Sequence, residues 1–214
     1  LDLERILALR PDLAVGWQSG NAHADLEKLA MLGIPVFFAE PQRLDVVPDT
    51  LLRLGHLAGS EGAAQTAATL YREELARLRT RYRDRRPVRV FFEIGMQPLM
   101  TLNRAHLASD VLALCGARNV FAASDLLALE VSVEAVMLQD PDAILYSDEL
   151  GTADGVRDWW RERGSLRAVR ATRVYGIPAE LVLRQTPRVL QGVQRTCEVL
   201  DAARASLEAE RKQD

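Results

Sequence analysis

The sequence predicts an α/β fold in which two similar lobes with parallel sheets are joined by one long helix. The first indication is an internal repeat, because residues 2–15 match residues 132–145 without a gap. Each copy has a helix-capping residue, a glutamate in a short apolar helix, and Pro-Asp before a short apolar strand. The second is the alternation of strand and helix patterns, which favours parallel sheets covered by helices. The third is a continuous helical pattern from Glu61 to Arg83.

The first lobe contains two convincing strands. After the short helix of the repeat we expect a strand at 12–17, a helix at 21–32 that ends at Gly33, a strand at 35–39 and a helix at 48–58. A lobe with so few strands leaves a sheet edge and a core face uncovered. Because the second lobe has four strands, the repeat predicts about two further strands upstream of Leu1.

The long helix would extend about 33 Å at 1.5 Å per residue, which suits a connection between lobes. The second lobe follows Pro87. Its predicted strands are at 88–94, 119–121, 142–146 and 173–177, and its helices are at 106–115, 133–139 and 153–163, before a long terminal helix. We therefore predict three parts: a partial N-terminal lobe at 1–60, a connecting backbone helix at 61–84 and a C-terminal lobe at 85–214.

Composition excludes several classes of protein. The formal net charge of −3 with interspersed signs provides no field that would attract nucleic acid. No apolar run approaches the roughly 18 residues that a membrane span needs. The sequence has no Gly-rich phosphate loop, nucleophile elbow or zinc-protease motif, so nothing indicates catalysis. His23, His56 and His106 are far apart and fit surface or helix-capping roles, so no metal site is predicted.

The two cysteines lie on predicted helices. Cys115 ends one helical pattern, and Cys197 lies on the apolar stripe of the last helix. A disulfide between them would close a long loop and would need an oxidising compartment. Two independent buried thiols fit the same spacing, so the residues alone leave both interpretations open.

Candidate ligand contacts follow the predicted strands, since ligands of open α/β sheets bind beyond the carboxyl ends of strands. Trp17 lies at such an end beside glycine and amide residues, which suits a large flat ligand. The alternative is that Trp17 fills the core of the first lobe. Non-core residues also gather at the strand ends at 95–100, 147–149 and 176–180.

An ordered series of residues resembles the helical-backbone periplasmic binding proteins of ABC importers, and among them the periplasmic cobalamin-binding family. The similarity covers nearly the whole chain and begins inside that family's first lobe. It is carried by Leu3-Glu4-Arg5-Ile6, Leu9, Pro11-Asp12-Leu13, Trp17, Gly20-Asn21, Leu29, Leu32-Gly33-Ile34-Pro35-Val36, Val90-Phe91, Gly95, Pro98, Asp110-Val111-Leu112, Cys115-Gly116, Asn119-Val120-Phe121, Val131-Ser132-Val133-Glu134, Pro141-Asp142-Ala143-Ile144, Arg184, Pro187-Arg188-Val189 and Cys197.

The resemblance implies two Rossmann-like lobes that capture a corrinoid, cobalamin, between them and deliver it to a membrane permease. It implies a periplasmic solute-binding protein that is not an enzyme and has no intrinsic cofactor, with cobalamin as the transported ligand. The implied ligand contacts are Trp17, Gln18, Gly20, Asn21, Gln97, Pro98, Leu99, Leu129, Glu180 and Arg184.

The resemblance also assigns roles to the repeat and to the cysteines. Glu4 and Glu134 match surface glutamates that pair with arginines on the two copies of the permease in the inner membrane. Repeated anions suit a twofold partner. Cys115 and Cys197 match cysteines that form a disulfide in cobalamin-binding members.

Some positions depart from that family. Ala128 replaces a loop tryptophan, and Leu181 and Val182 replace aromatic residues, so less stacking is available. Haem, with Tyr146 or Tyr175 as ligand, and an iron siderophore, bound by Arg184, therefore remain alternatives. An alternative of another class is a metal-dependent α/β enzyme subunit, which would need cysteine or histidine ligands in a cleft. A trimmed chain that no longer binds a solute is a further alternative.

Overall fold

The structure is a computed structural model that describes residues 1–17, 20–164 and 166–212. The chain forms two compact units, one from Leu1 to Pro41 and one from Gln42 onward. Residues 42–60 thus belong to the same compact unit as the long helix. The three-part division at 60 and 84 stays a prediction.

The first unit contains two helices and two strands among its described residues: α1 (Leu3–Ala8), β1 (Ala14–Gly16), α2 (His23–Met31) and β2 (Val36–Phe38). The strands pair in parallel, with Ala14 opposite Val36. Asp2 begins α1, because its carboxylate accepts the Arg5 backbone N–H at 3.0 Å. The core of this unit is small and consists of Leu26, Leu29 and Ile34. Both predicted strands are confirmed, although each is shorter at its ends than the pattern suggested.

The second unit begins with a 3-10 turn (Leu44–Val46), α3 (Val47–Leu57) and α4 (Glu61–Tyr82). The predicted long helix is confirmed to within one residue and has 22 residues. Its buried face consists of Ala68, Tyr71, Leu75, Leu78 and Tyr82. Helix α3 packs closely on it, because a Cβ atom on Gly55 would lie 2.2 Å from Cβ of Ala64.

The remainder of the second unit contains seven strands among the described residues, β3 (Val88–Glu93), β4 (Gly95–Met96), β5 (Leu99–Leu102), β6 (Ala117–Asn119), β7 (Ala128–Glu130), β8 (Ala143–Ser147) and β9 (Val174–Ile177). Its helices are α5 (Leu107–Leu114), α6 (Val133–Gln139), α7 (Ala153–Arg161), α8 (Arg167–Arg170), α9 (Ala179–Val182) and α10 (Val189–Arg211). The main sheet is parallel throughout, in the order β6-β3-β8-β9.

Helices cover both faces of the main sheet. Alternate residues of β3 point to opposite sides, so Val90 and Phe92 join the core formed with α4, α5 and α10, whereas Phe91 joins the core formed with α6 and α7. The four predicted strands of this lobe are confirmed, but β6 begins two residues earlier than expected. The mixed α/β fold with parallel sheets is therefore as predicted.

A second, antiparallel sheet was not predicted. It has the order β4-β5-β7, and Gly95 pairs with Met100 while Thr101 pairs with Leu129. Its strands have only two to four residues, and Pro98 lies between β4 and β5. The sequence pattern of this segment is therefore typical of a loop. The short helices α8 and α9 were also missed, since one turn leaves too little periodicity.

Candidate functional site

The candidate site of the second unit lies at the carboxyl ends of its parallel strands. Strand β3 leads into the β4–β5 hairpin, β8 leads into a 3-10 turn at Asp148–Leu150, and β9 leads into α9. The carboxylate of Asp148 accepts the Ala179 backbone N–H at 2.9 Å, which ties the turn to α9. Three connections therefore meet at the edge of the sheet where ligands of α/β proteins bind.

The hairpin presents two of the predicted contact residues. Gln97 and Pro98 form its tip, are exposed and are joined by a cis peptide bond. Leu99, the third predicted contact, is only 6% exposed and packs in the core that contains Phe91 and Trp160. The hairpin is thus anchored by Leu99 and exposes its tip.

Leu129 belongs to the same small sheet. It is half-buried on β7 and lies opposite Thr101 of β5. The Thr101 hydroxyl accepts a hydrogen bond from Nδ2 of Asn119 at 2.8 Å, and the same nitrogen donates to the Leu102 carbonyl at 2.7 Å. These buried hydrogen bonds join β5 to the end of β6, and β5 in turn pairs with the strand that carries Leu129.

The acid and the arginine predicted from the resemblance follow β9. Glu180 is exposed on α9 and lies 3.6 Å from Arg188. Arg184 is exposed just after the helix and makes no ion pair with any described residue. Arg184 is therefore exposed without an ion-pair partner among the described residues, whereas Glu180 has a cationic neighbour.

In the first unit, Trp17 directly follows β1 and is 43% exposed. Its backbone N–H donates to Oδ1 of Asn21 at 2.7 Å, and its carbonyl accepts the Asn21 N–H at 2.8 Å. A Cβ atom on Gly20 would lie 2.5 Å from Cε3 of the indole, so the ring rests directly on the glycine. The unit's core is formed elsewhere, and the alternative that Trp17 fills it is wrong. Gln18 lies outside the described residues.

The sequence analysis did not identify a buried acid at the candidate site of the second unit. Glu93, the last residue of β3, is 0% exposed, and its Oε2 accepts the indole N–H of Trp160 at 3.0 Å. Burial raises the pKa of its carboxyl to about 7, and the Trp160 hydrogen bond opposes part of that rise. The available signal was a lone glutamate at the end of a continuous apolar strand.

The repeated glutamates are exposed on equivalent helices. Glu4 lies in the first turn of α1 and Glu134 in the first turn of α6. Ser132 begins α6 as Asp2 begins α1, by accepting a backbone N–H three residues on. Neither glutamate forms an ion pair within the described parts of the chain. Both carboxylates are therefore available to a partner.

The disulfide implied by the resemblance is present. Cys115, directly after α5, is bonded to Cys197 of α10, and both are fully buried in the larger core. Of the two interpretations that the cysteine spacing left open, the disulfide is therefore correct and the two independent thiols are not.

Metal-binding groups do not gather in the part of the chain that the structure describes, where no cluster of three or more His, Cys, Asp or Glu side chains occurs. His106 caps α5, because its Nδ1 accepts the Ala108 N–H at 3.1 Å, and His23 and His56 are exposed. These surface and capping roles are as predicted. Among the described helices, none has both the length and the apolar character of a membrane span.

Comparisons with known proteins agree with this arrangement. The family model described as periplasmic binding protein matches residues 1–181. A vitamin B12-binding protein of Vibrio cholerae is 34% identical over 203 residues, which are 95% of this chain and 73% of that protein. The crystal structure of the periplasmic vitamin B12 binding protein BtuF of Vibrio cholerae is similar with a TM-score of 0.85 and 34% identity, covering 95% of this chain and 79% of the other.

The fold also occurs in proteins of lower sequence identity. The periplasmic heme-binding protein RhuT from Roseiflexus sp. RS-1 has a TM-score of 0.81 at 24% identity, covering 95% of this chain and 81% of that one. At this identity the likeness concerns the fold alone. The resemblance found in the sequence is confirmed, and the chain belongs to the periplasmic binding protein family.

Proposed function

We propose that this chain is the solute-binding component of an ABC importer and that its solute is a corrinoid, cobalamin. The observation that carries the proposal is the similarity to vitamin B12-binding proteins, which extends over 95% of the chain at 34% identity. Such continuous similarity includes both units and both predicted sets of contacts. The proposal makes the protein a carrier with no reaction of its own.

The chemistry of the candidate contacts supports a corrinoid. The exposed indole of Trp17 offers a flat face to a macrocycle, and its position on Gly20 restricts its rotation. The amides of Gln97 and Asn21 suit the carboxamide side chains at the rim of a corrin ring, and Arg184 provides a charged donor. Each unit thus has its own candidate contacts.

The tyrosines favour a corrinoid over haem. Tyr146 is only 3% exposed, and its hydroxyl lies near Gly176, where an added Cβ would be 3.0 Å away. Tyr175 is half-buried, and burial raises the pKa of both phenols. A haem iron favours an accessible phenolate, and both features oppose one.

Delivery is proposed to use Glu4 and Glu134. Each lies on the equivalent helix of the internal repeat and is exposed. Two equivalent carboxylates match a permease built from two like subunits, and charge complementarity would orient the encounter. A periplasmic location is proposed with this role, and the buried disulfide suits an oxidising compartment.

The decisive experiment is an equilibrium titration of the chain with cyanocobalamin, hemin and a ferric hydroxamate. We expect saturable binding of cyanocobalamin at one equivalent and no comparable binding of the other two. Saturation by hemin or by the hydroxamate without cyanocobalamin binding would reverse the assignment of the solute.

Two variants of the first unit test the contact. Trp17→Ala removes the stacking face, and Gly20→Ala forces the indole to move, because the new methyl would overlap Cε3. We expect each to weaken cyanocobalamin binding by about tenfold, or ~1.4 kcal/mol, in the same titration. Met31→Ala is the control, since Met31 is an exposed apolar residue at the end of α2. Equal affinities in all three variants would contradict a role for Trp17.

A further inference from the structure

Glu93 lies in surroundings that do not suit a charged group. Its side chain is fully buried beside Phe91, Tyr146 and Trp160, and its Oε1 has no hydrogen-bond partner among the described residues. An ionised carboxylate with a bare buried oxygen is costly, whereas the neutral acid avoids most of the penalty. The structure therefore favours a protonated Glu93.

Among the described residues, no charged side chain offsets this preference. In register, Glu93 lies opposite Tyr146 of β8. The charges of Asp148, just after β8, and Arg157 of α7 affect the pKa of Tyr146. No charged side chain in the described parts of the chain shifts the pKa of Glu93. Residues 94–102, which form the adjacent hairpin, contain no titratable side chain. Burial is thus the main cause of the raised pKa of Glu93, which is about 7, and the hydrogen bond from the Trp160 indole N–H opposes it.

Glu93 also joins the main sheet to the hairpin that exposes Gln97. The next residue, Ile94, donates its N–H to the Met100 carbonyl at 2.9 Å, which closes the base of the hairpin. Leu99 of the hairpin packs in the same core as Trp160, the hydrogen-bond donor to Glu93. Loosening of these contacts at the base of the hairpin would let water approach a carboxylate at Glu93.

We propose that Glu93 is a positioning residue whose protonated form holds the hairpin at 94–102 in the conformation that binds the solute, so that binding weakens as the pH rises through neutrality. This rests on the proposed function, because the hairpin tip at Gln97 and Pro98 is a proposed solute contact. Glu93 itself acts through the hairpin and need not touch the solute.

The first test is the pH dependence of the dissociation constant for cyanocobalamin. If the protonated form alone binds and its pKa is about 7, the constant rises by about tenfold between pH 6 and pH 8. Glu93→Gln keeps an oxygen acceptor for Trp160 without a charge, and we expect it to abolish this rise. Trp160→Phe removes the hydrogen bond that lowers the pKa, so we expect the midpoint to move to higher pH. The control Glu73→Gln changes an exposed residue of α4 and should keep the original profile.

The second test needs no solute. Hydrogen exchange of the Ile94 and Val131 amides, which donate to hairpin carbonyls, reports whether the hairpin is closed. After correction for intrinsic exchange, we expect protection to fall from pH 6 to pH 8 in the original protein and to stay constant in Glu93→Gln. Constant protection in the original protein, or a tenfold change of affinity that persists in Glu93→Gln, overturns the proposal. Absence of cyanocobalamin binding at every pH would instead refute the proposed function and leave this exchange test decisive.

Discussion

Glu93 links a single side chain to the pH dependence of stability. Its pKa is about 7 in the folded protein against an ordinary value of 4.5. Between these values the folded state holds a proton that the unfolded state has released, so the free energy of unfolding falls as pH rises. The contribution of the neutral Glu93 carboxyl to the free energy of unfolding is fully present below its pKa in the unfolded state. It is lost as the pH rises through its pKa in the folded state. This difference between the two pKa values corresponds to about 3 kcal/mol in the free energy of unfolding.

We expect Glu93→Gln to raise the free energy of unfolding at pH 8.5 by up to about 3 kcal/mol, because the amide carries no charge to bury. At pH 4, where the carboxyl is mainly neutral in both states, the change should be small. Urea unfolding at the two pH values measures the difference, with Glu73→Gln as an exposed control. An equal effect at both pH values would show that ionisation of Glu93 is not the cause.

Residue-scale expectations succeeded where the neighbouring sequence determines the role. Trp17 was placed at a strand end by the strand that precedes it, and Asp2 and Ser132 cap the helices that directly follow them. Glu93 was missed because it is buried among residues distant in the chain, such as Trp160, which lies 67 residues later. No local pattern reports such a contact.

The packing of α3 on α4 gives two glycines opposite roles. Gly55 faces Ala64 at a distance that leaves no room for a methyl group, whereas nothing lies within 4 Å of a Cβ on Gly62. We expect Gly55→Ala to lower the free energy of unfolding by at least about 1 kcal/mol through overpacking. Gly62→Ala should raise it by about 0.5 to 1 kcal/mol through helix propensity. Chemical denaturation of both variants tests this, and a stabilised Gly55→Ala would contradict the close approach.

The disulfide joins the end of α5 to α10 across a separation of 82 residues. Loop-closure entropy for that separation corresponds to about 4.5 kcal/mol. We expect the double variant Cys115→Ser and Cys197→Ser to lose stability of that order in urea unfolding, because both positions are also buried. The original protein in reducing agent should shift in the same direction. A loss below about 1 kcal/mol in both measurements would contradict a structural role for the bond.

At the element scale, the long helix and the strands of the parallel sheets were predictable, whereas the small antiparallel sheet and the one-turn helices α8 and α9 were not. The 22 residues of α4 repeat one apolar face many times, so their periodicity is unambiguous. The three strands of the antiparallel sheet are too short to show alternation. They form because β5 pairs with β7, whose residues are nearly thirty positions away, and because Asn119 fixes β5 from the main sheet.

The repeat predicts how the whole molecule meets its partner. We expect Glu4→Lys combined with Glu134→Lys to weaken binding to a reconstituted permease by at least about tenfold at low salt, since each attraction becomes a repulsion. Exposed pairs contribute little individually, so each single variant should have a smaller effect. Surface plasmon resonance with the permease in nanodiscs measures the affinity of each variant for the permease.

The matched control is Glu73→Lys combined with Glu208→Lys, which makes the same change in net charge at exposed positions of α4 and α10. Cyanocobalamin affinity should be unchanged in both double variants. Equal loss of docking in the two would indicate a general charge effect and refute specific roles for Glu4 and Glu134.

Local periodicity and helix caps were sufficient to predict the α/β class, the internal repeat and the long helix, and an ordered series of residues carried the resemblance to the family. Three features followed only from the folded chain: Cys115 bonds Cys197, Leu99 is buried while Gln97 is exposed, and Glu93 lies in an apolar core. The physical reason is that pairing and burial arise from contacts between residues distant in the chain. Those contacts set the solvation, and hence the charge, of groups that look ordinary in sequence.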